Sequence, residues 1–380
     1  MSSGPSARRG ARVLFIHSSN EMYGADRMTL HSIAAAQRAG FRVTLALPSD
    51  VTKSGWSIQD EATAAGIELR VLRLPILRRQ YRSVRGISGL VVSIAAFVLL
   101  LVQIRPGLIY ITTSAGILAA PIARALGIIV AFHCQEIWRP EDVALLGRLA
   151  RAAHSIVCIS EAAKASLPPS LQARSTTIAN GVGATKRVRD HRRKSDSVQF
   201  VVASRWNEWK GHRTLFDAWE LAGSPGVLTV LGGPPEVGVG YDVRDRVAKL
   251  NSPETVMVVG EVEDPTQFFA DSDFVIVPSD RPEPFGLVTI EAFAAGVPVI
   301  ASNRGGSAEI ISDGVSGRLF EIGDPQSLAR VLSTCTKVDS LEMGSAARHE
   351  YQQRFTAERY LVEMSEHLAA LGSRRRFATN

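Results

Sequence analysis

Short apolar runs recur along the chain, each followed by a polar or glycine-containing turn and then by a helical segment. RVLFIHS (12–18) is the first such run, and GADRMTLHSIAAAQRAG (24–40) then supplies a turn glycine and a helix that closes on glycine. FRVTLALPS, IELRVLRL, GLIYITTS, GIIVAFH and SIVCIS repeat the apolar run through residue 160. Runs this continuously apolar belong to strands buried on both faces. Their alternation with helices predicts an α/β fold with a mostly parallel sheet covered on both sides.

The pattern breaks at GATKRVRDHRRKSDS (183–197), whose residues are too polar for a core and which is therefore expected to be a linker. It restarts with VQFVVASR, the helix GHRTLFDAWELA, VLTVLG, VMVVGEV, DFVIVPS, PVIAS and GRLF. Two doubly wound, Rossmann-like domains follow, expected at 1–190 and 191–345. A long final helix at about 342–371 should cross back to the first domain, so that 346–380 forms a separate C-terminal element. Open parallel sheets bind ligands beyond the carboxyl ends of their strands. Two such domains facing across a deep cleft leave room for a donor and an acceptor.

The length of 380 residues suits two cores better than one. With 46% apolar and 21% charged residues, the chain is expected to fold. Cys134, Cys158 and Cys335 show no metal-ligand spacing and are odd in number, which excludes a zinc motif and a complete disulfide framework. They read as thiols of a reducing compartment. The opening MSSGPSARRG lacks the apolar run of a secretory signal, so the expected location is cytoplasmic.

The net charge of +6 is compatible with nucleic acid, an anionic membrane or a phosphorylated ligand, and its placement matters more than its size. The linker lacks interleaved aromatic residues, which argues against nucleic acid. A second basic cluster, ILRRQYRSVRG (76–86), precedes the apolar segment 87–104. That segment approaches the roughly 20 residues needed to cross a bilayer. Three readings of it stay open: a core helix, a helix lying on anionic lipid at the cytoplasmic face of the cell membrane, and a spanning helix.

The candidate chemistry lies after the strands of the second half. In ASRWNEWKG (203–211), Arg205 and Lys210 stand between a strand and a helix, where backbone amides and the helix dipole favour anions. They fit a pair neutralising a diphosphate, and they also fit plain surface charges. In RPEPFGLVTIEAFAAGVPVIAS (281–302), Glu283 sits in a proline-containing turn after a strand, and Glu291 is expected near a helix start. Gly286 permits close backbone approach. Either carboxylate could grip sugar hydroxyls, or serve as a cap or turn residue.

The stretch EPFGLVTIE (283–291), with seven residues between its glutamates, resembles the signature of the retaining, nucleotide-sugar-dependent glycosyltransferases of family 4. The similarity is strong over 198–325 and looser before 190. It implies the GT-B fold, with the donor in the second domain and the acceptor near the first. It further implies that Glu283 engages the transferred sugar, Glu291 the ribose, and Arg205 and Lys210 the diphosphate. Amides around Phe285, Gly286 and Leu287 would approach phosphate or sugar oxygens. Gly232 and Gly233 would admit the nucleotide, and Val262 lies in the region resembling the base pocket.

In the first half, Gly24 resembles the family's glycine loop near donor phosphate and acceptor. His133 resembles an active-site histidine that contacts the sugar, although a packed histidine fits equally well. Gly183 departs from the family, which has an acidic residue at that place. The resemblance implies sugar transfer from a nucleoside diphosphate to a saccharide or lipid-linked saccharide, without metal or cofactor, in surface polysaccharide or glycolipid assembly. A nucleotide-sugar epimerase and an inactive carbohydrate- or membrane-binding protein of the same fold are the alternatives.

Overall fold

The structure, a computed structural model, describes residues 10–51, 55–78, 84–189, 196–235 and 239–373. The chain divides into two units, residues 1–180 with 358–380 and residues 181–357. Among the described residues the strands form two sheets, of seven and six strands, and every pairing within them is parallel.

The first sheet contains β1 (Arg12–Ile16), β2 (Arg42–Pro48), β3 (Glu68–Leu72), β4 (Leu108–Ile111), β5 (Ile129–Cys134), β6 (Ser155–Cys158) and β7 (Ser175–Thr177), in the order β3-β2-β1-β4-β5-β6-β7. The second contains β8 (Val198–Ala203), β9 (Gly226–Leu231), β10 (Val256–Gly260), β11 (Phe274–Val277), β12 (Val299–Ser302) and β13 (Gly317–Phe320), in the order β10-β9-β8-β11-β12-β13. In each sheet the order reverses beside the first strand, between β1 and β4 and between β8 and β11. At such a reversal the loops leave the carboxyl edge in opposite directions and open a crevice. The three-residue β7 is too short and polar to have been read from the sequence.

The apolar runs are buried as their composition requires. Val13 to Ile16, Ile109 to Ile111 and Val130 to Phe132 are fully covered, as are Val201, Val275 and Ile300. Phe200 stacks on Phe274 across neighbouring strands and meets Trp219 edge-on. Aromatic pairs of this kind stabilise a core beyond the area they bury.

The unit boundary precedes the expected linker. Arg187 pairs with Asp271, Arg189 pairs with Asp273 and donates to the carbonyl of Ser340, and the Arg189 amide donates to Ala295. These charges fasten 187–189 to the second unit, while 190–195 lie outside the described residues.

The expected single final helix is two, Lys337–Arg354 and Ala357–Ser373. Between them the Val182 amide donates to Phe355 and the Ala357 amide donates to Val182, so the backbone pairs across chain where a continuous helix would have bonded within itself. The first of these helices remains in the second unit. The second belongs to the first unit, where the Tyr360 hydroxyl lies 2.7 Å from that of Ser32.

Candidate active site

At the β8/β11 reversal, the loop after β8 carries Arg205 and Lys210 and the loop after β11 carries Glu283. Both loops are built rigidly. The Trp206 amide donates to Gly233 and the Tyr241 amide to Trp206, tying the first loop to the segment after β9. The Asp280 amide donates to Trp209, and Thr214 donates to the Asp280 carboxylate at 2.7 Å. Gly211 has φ +74°, and a Cβ there would lie 1.8 Å from the carbonyl oxygen of Pro278. Only glycine lets the two backbones approach this closely.

This scaffold sets Lys210 Nζ 2.8 Å from Glu283 Oε1. Ser279 donates to the same oxygen, and the Lys210 ammonium stands 4.2 Å from the centroid of the Trp209 ring. Glu283 is buried, and Lys210 is only partly exposed. Lys210 is therefore held by a carboxylate and an aromatic face. An ammonium has three N–H donors, so bonding to Glu283 leaves two for other acceptors.

A second glycine pair supports the acidic loop. The Gly306 amide donates to the carbonyl of Glu283 at 2.7 Å, and a Cβ on Gly306 would meet Phe285 Cα at 2.4 Å. The glycines of SNRGGSAEII (302–311) form the bed on which Glu283–Phe285 rests. Gly286 is the left-handed N-cap of helix Leu287–Ala294. That helix opens four residues before Glu291, which is buried within it and does not stand at its start. The short run of helix-compatible residues after Gly286 explains the earlier opening.

Two families match the sequence in tandem: "Glycosyl transferase 4-like domain" over residues 23–189 and "Glycosyl transferases group 1" over 184–349. The chain belongs to the family-4 glycosyltransferases. The D-inositol 3-phosphate glycosyltransferase of Jonesia denitrificans is 32% identical over 200 residues, which are 47% of this chain and 47% of that protein. The capsular polysaccharide biosynthesis glycosyltransferase CapM of Staphylococcus aureus is 27% identical over 172 residues, 44% of this chain and 45% of the relative. The matched segments span less than half the length of these curated relatives. Anabaena HepE, solved in complex with UDP-glucose, superposes with a TM-score of 0.76 at 22% identity, covering 94% of this chain and 99% of HepE. That likeness establishes the GT-B fold.

The other residues expected from the family resemblance are distributed over the same strand ends. Arg205 is half-buried directly after β8. Gly232 and Gly233 follow β9, and a Cβ on Gly232 would lie 1.9 Å from the carbonyl oxygen of Ser204. Val262 is half-buried after β10, Phe285 is buried, and Leu287 opens its helix. Trp206 belongs to the hydrophobic core, so packing decides its role.

In the first unit, Gly24 opens helix Gly24–Arg38. His133 is the penultimate residue of β5, near the carboxyl end of the strand. It lies within β5, fully buried and edge-on to Tyr110 with ring centroids 5.7 Å apart, and neither ring nitrogen has a hydrogen-bond partner. Burial, helped by the nearby His367, lowers its pKa to about 3 and keeps the ring neutral.

A polar cluster that no sequence motif marks lies at the β1/β4 reversal. His17 Nε2 is 2.8 Å from Asp26 Oδ1, its Nδ1 is 2.6 Å from the Thr112 hydroxyl, and Ser19 donates to Asp26. Asp26 also accepts from the Tyr23 amide. Burial raises its pKa, but the bonds and charge from His17, with those from Ser19 and Tyr23, outweigh burial and lower it overall. Asp26 is thus more than a helix cap, since it fixes the loop leading to Gly24. Nearby in sequence to His133, Glu136 accepts from the Ser114 amide and hydroxyl, while burial raises its pKa. The visible signal was three polar residues, HSS, immediately after an apolar strand.

Proposed function

We propose that this protein transfers a sugar from a nucleoside-diphosphate sugar to a saccharide or lipid-linked saccharide acceptor, with retention of the anomeric configuration. The observation carrying this reading is the Lys210–Glu283 pair at a strand-order reversal, on the loop that also carries Arg205 and before an amide-rich helix start. Cations and amides of this kind stabilise a departing diphosphate through preorganised electrostatics. Arg205 and Lys210 supply that neutralisation themselves, so the reaction is proposed to proceed without metal or cofactor. Glu283 orients the hydroxyls of the transferred sugar, and Glu291 engages the ribose. The acceptor attacks from the face that the diphosphate leaves, and the leaving phosphate receives the acceptor proton.

UDP-glucose is the first donor to test, because HepE was solved with it. Surface polysaccharide or glycolipid assembly in the cytoplasm is the proposed setting, supported by the similarity to CapM. Purified protein would be incubated with individual nucleotide sugars and extracted saccharides and lipids, with products followed by mass. A new glycoside whose formation falls at least about a hundredfold in Glu283→Gln supports the reading. Wild-type transfer by that variant at limiting donor would remove Glu283 from its role. An altered free nucleotide sugar without glycoside would identify an epimerase, and donor binding without turnover across the acceptors would identify a binding protein.

A further inference from the structure

Helix Val84–Ile104 is apolar on both sides. Phe97, Leu100, Leu101 and Ile104 face the core and are almost wholly covered. On the other side Ile87, Val91, Leu99 and Val102 are 55%, 61%, 61% and 56% exposed, with Ala95 between them in the same stripe. Only 28% of the segment Ile87–Ile104 is buried, although its mean hydropathy is 2.6. A core helix would be mostly covered, and a surface helix would carry polar residues on its outer face. With Val92, five of the sixteen large apolar side chains exposed among the described residues lie on this one helix. Their clustering distinguishes them from apolar residues scattered singly over a surface.

Charge in this part of the sequence is equally one-sided. Residues 69–135 contain eight arginines and no aspartate or glutamate, so this stretch exceeds the whole chain's net charge of +6 and leaves the remainder slightly acidic. Of these arginines, Arg70 and Arg78 pair with Glu68 and Asp50 outside the stretch. Arg73 and exposed Arg105 lie on either side of the helix in sequence, and no charged residue falls between Arg85 and Arg105. An apolar stripe flanked by cations matches the boundary between acyl chains and anionic headgroups.

We propose that the outer face of helix Val84–Ile104 docks on an anionic bilayer, with the helix lying in the plane of the interface. The helix joins edge strand β3 to central strand β4, and its covered face packs within the unit. Spanning the bilayer would strip that face from the core, so in-plane contact uses both sides of the helix. The surface extends the proposed setting in glycolipid or polysaccharide assembly, but its binding can be measured without any transfer reaction.

The test is sedimentation of the full chain with phosphatidylcholine vesicles containing or lacking phosphatidylglycerol, at low and high salt. Binding is expected with phosphatidylglycerol, and high salt should weaken it. Val91→Ser/Leu99→Ser, a change at exposed positions that leaves the core intact, should lower partitioning by about tenfold or more. Absence of vesicle binding, or unchanged binding by the double variant with retained wild-type circular dichroism, would overturn the proposal. A lipid-free dimer abolished by the same variant, without vesicle binding, would instead assign the face to a second copy. Membrane-bound protein should be released by alkaline carbonate; retention there would overturn the in-plane arrangement. Vesicle binding without sugar transfer would leave this inference standing while defeating the proposed reaction.

Discussion

Lys210 Nζ and Glu283 Oε1 lie 2.8 Å apart, joining the loops after β8 and β11 at the point where the strand order reverses. Neither residue reaches this position through sequence proximity, since 73 positions separate them. The pair is formed by strand order and by the close backbone approach at Gly211. It fixes the carboxylate proposed to meet the sugar and the ammonium proposed to meet the diphosphate in one geometry.

Removing Lys210 should affect stability and donor binding separately. Lys210→Met leaves Glu283 buried without its cation and is expected to cost about 3 kcal/mol, read from chemical denaturation. Lys210→Met/Glu283→Gln should recover much of that stability because the uncompensated charge is gone. Transfer should remain at least about a hundredfold below wild type in both variants. Recovery of activity along with stability would show that the pair is structural.

Arg205→Ala should weaken nucleoside-diphosphate affinity by about tenfold or more without a comparable loss of stability, because its proposed contact is with an anion. Calorimetric titration with UDP checks this. Unchanged affinity would place Arg205 outside the donor site.

Gly306→Ala tests the bed beneath Glu283. The added Cβ would meet the Phe285 backbone at 2.4 Å, so this loop must shift. Overpacking of this kind costs about 1–3 kcal/mol. Both the melting temperature and donor affinity should fall; a wild-type affinity would mean that the loop can move without disturbing the site.

Acid should destabilise the fold through buried histidines. His133 is held at about 3 and His212 at about 4, chiefly by burial, with His367 and Lys210 adding positive potential respectively. Unfolding restores their ordinary pKa near 6.5, so between that pH and the folded values the unfolded chain binds more protons. Stability is therefore fully present above about pH 6.5 and declines as pH falls, by up to about 1.4 kcal/mol per pH unit for each ring. Denaturant melts from pH 7 to 4 should show the decline, and His133→Phe should flatten it. An unchanged pH slope in that variant would contradict the assignment to His133.

The apolar runs made the parallel sheets legible because buried strands need little more than length and hydrophobicity. The short β7 carried too few residues for that signal. EPFGLVTIE and RWNEWKG marked the two halves of the candidate site, but their 2.8 Å meeting depends on strand order and on Gly211. His133 stands at the strand end that the sequence suggested, but its complete burial was not legible there because the ring it packs against, Tyr110, comes from β4. The His17–Asp26 contact was hidden because its supporting partner Thr112 lies 95 positions from His17.

The most direct measurement is a transfer reaction using a nucleotide sugar labelled with carbon-13 at its anomeric centre, UDP-glucose first, with the product examined by NMR. Wild-type protein is expected to place the label in a new glycoside with the donor's anomeric configuration, and Glu283→Gln to form it at least about a hundredfold more slowly. Inverted product would contradict retention. Label found only in altered free nucleotide sugar, or equal transfer by wild type and Glu283→Gln, would contradict the proposed donor site.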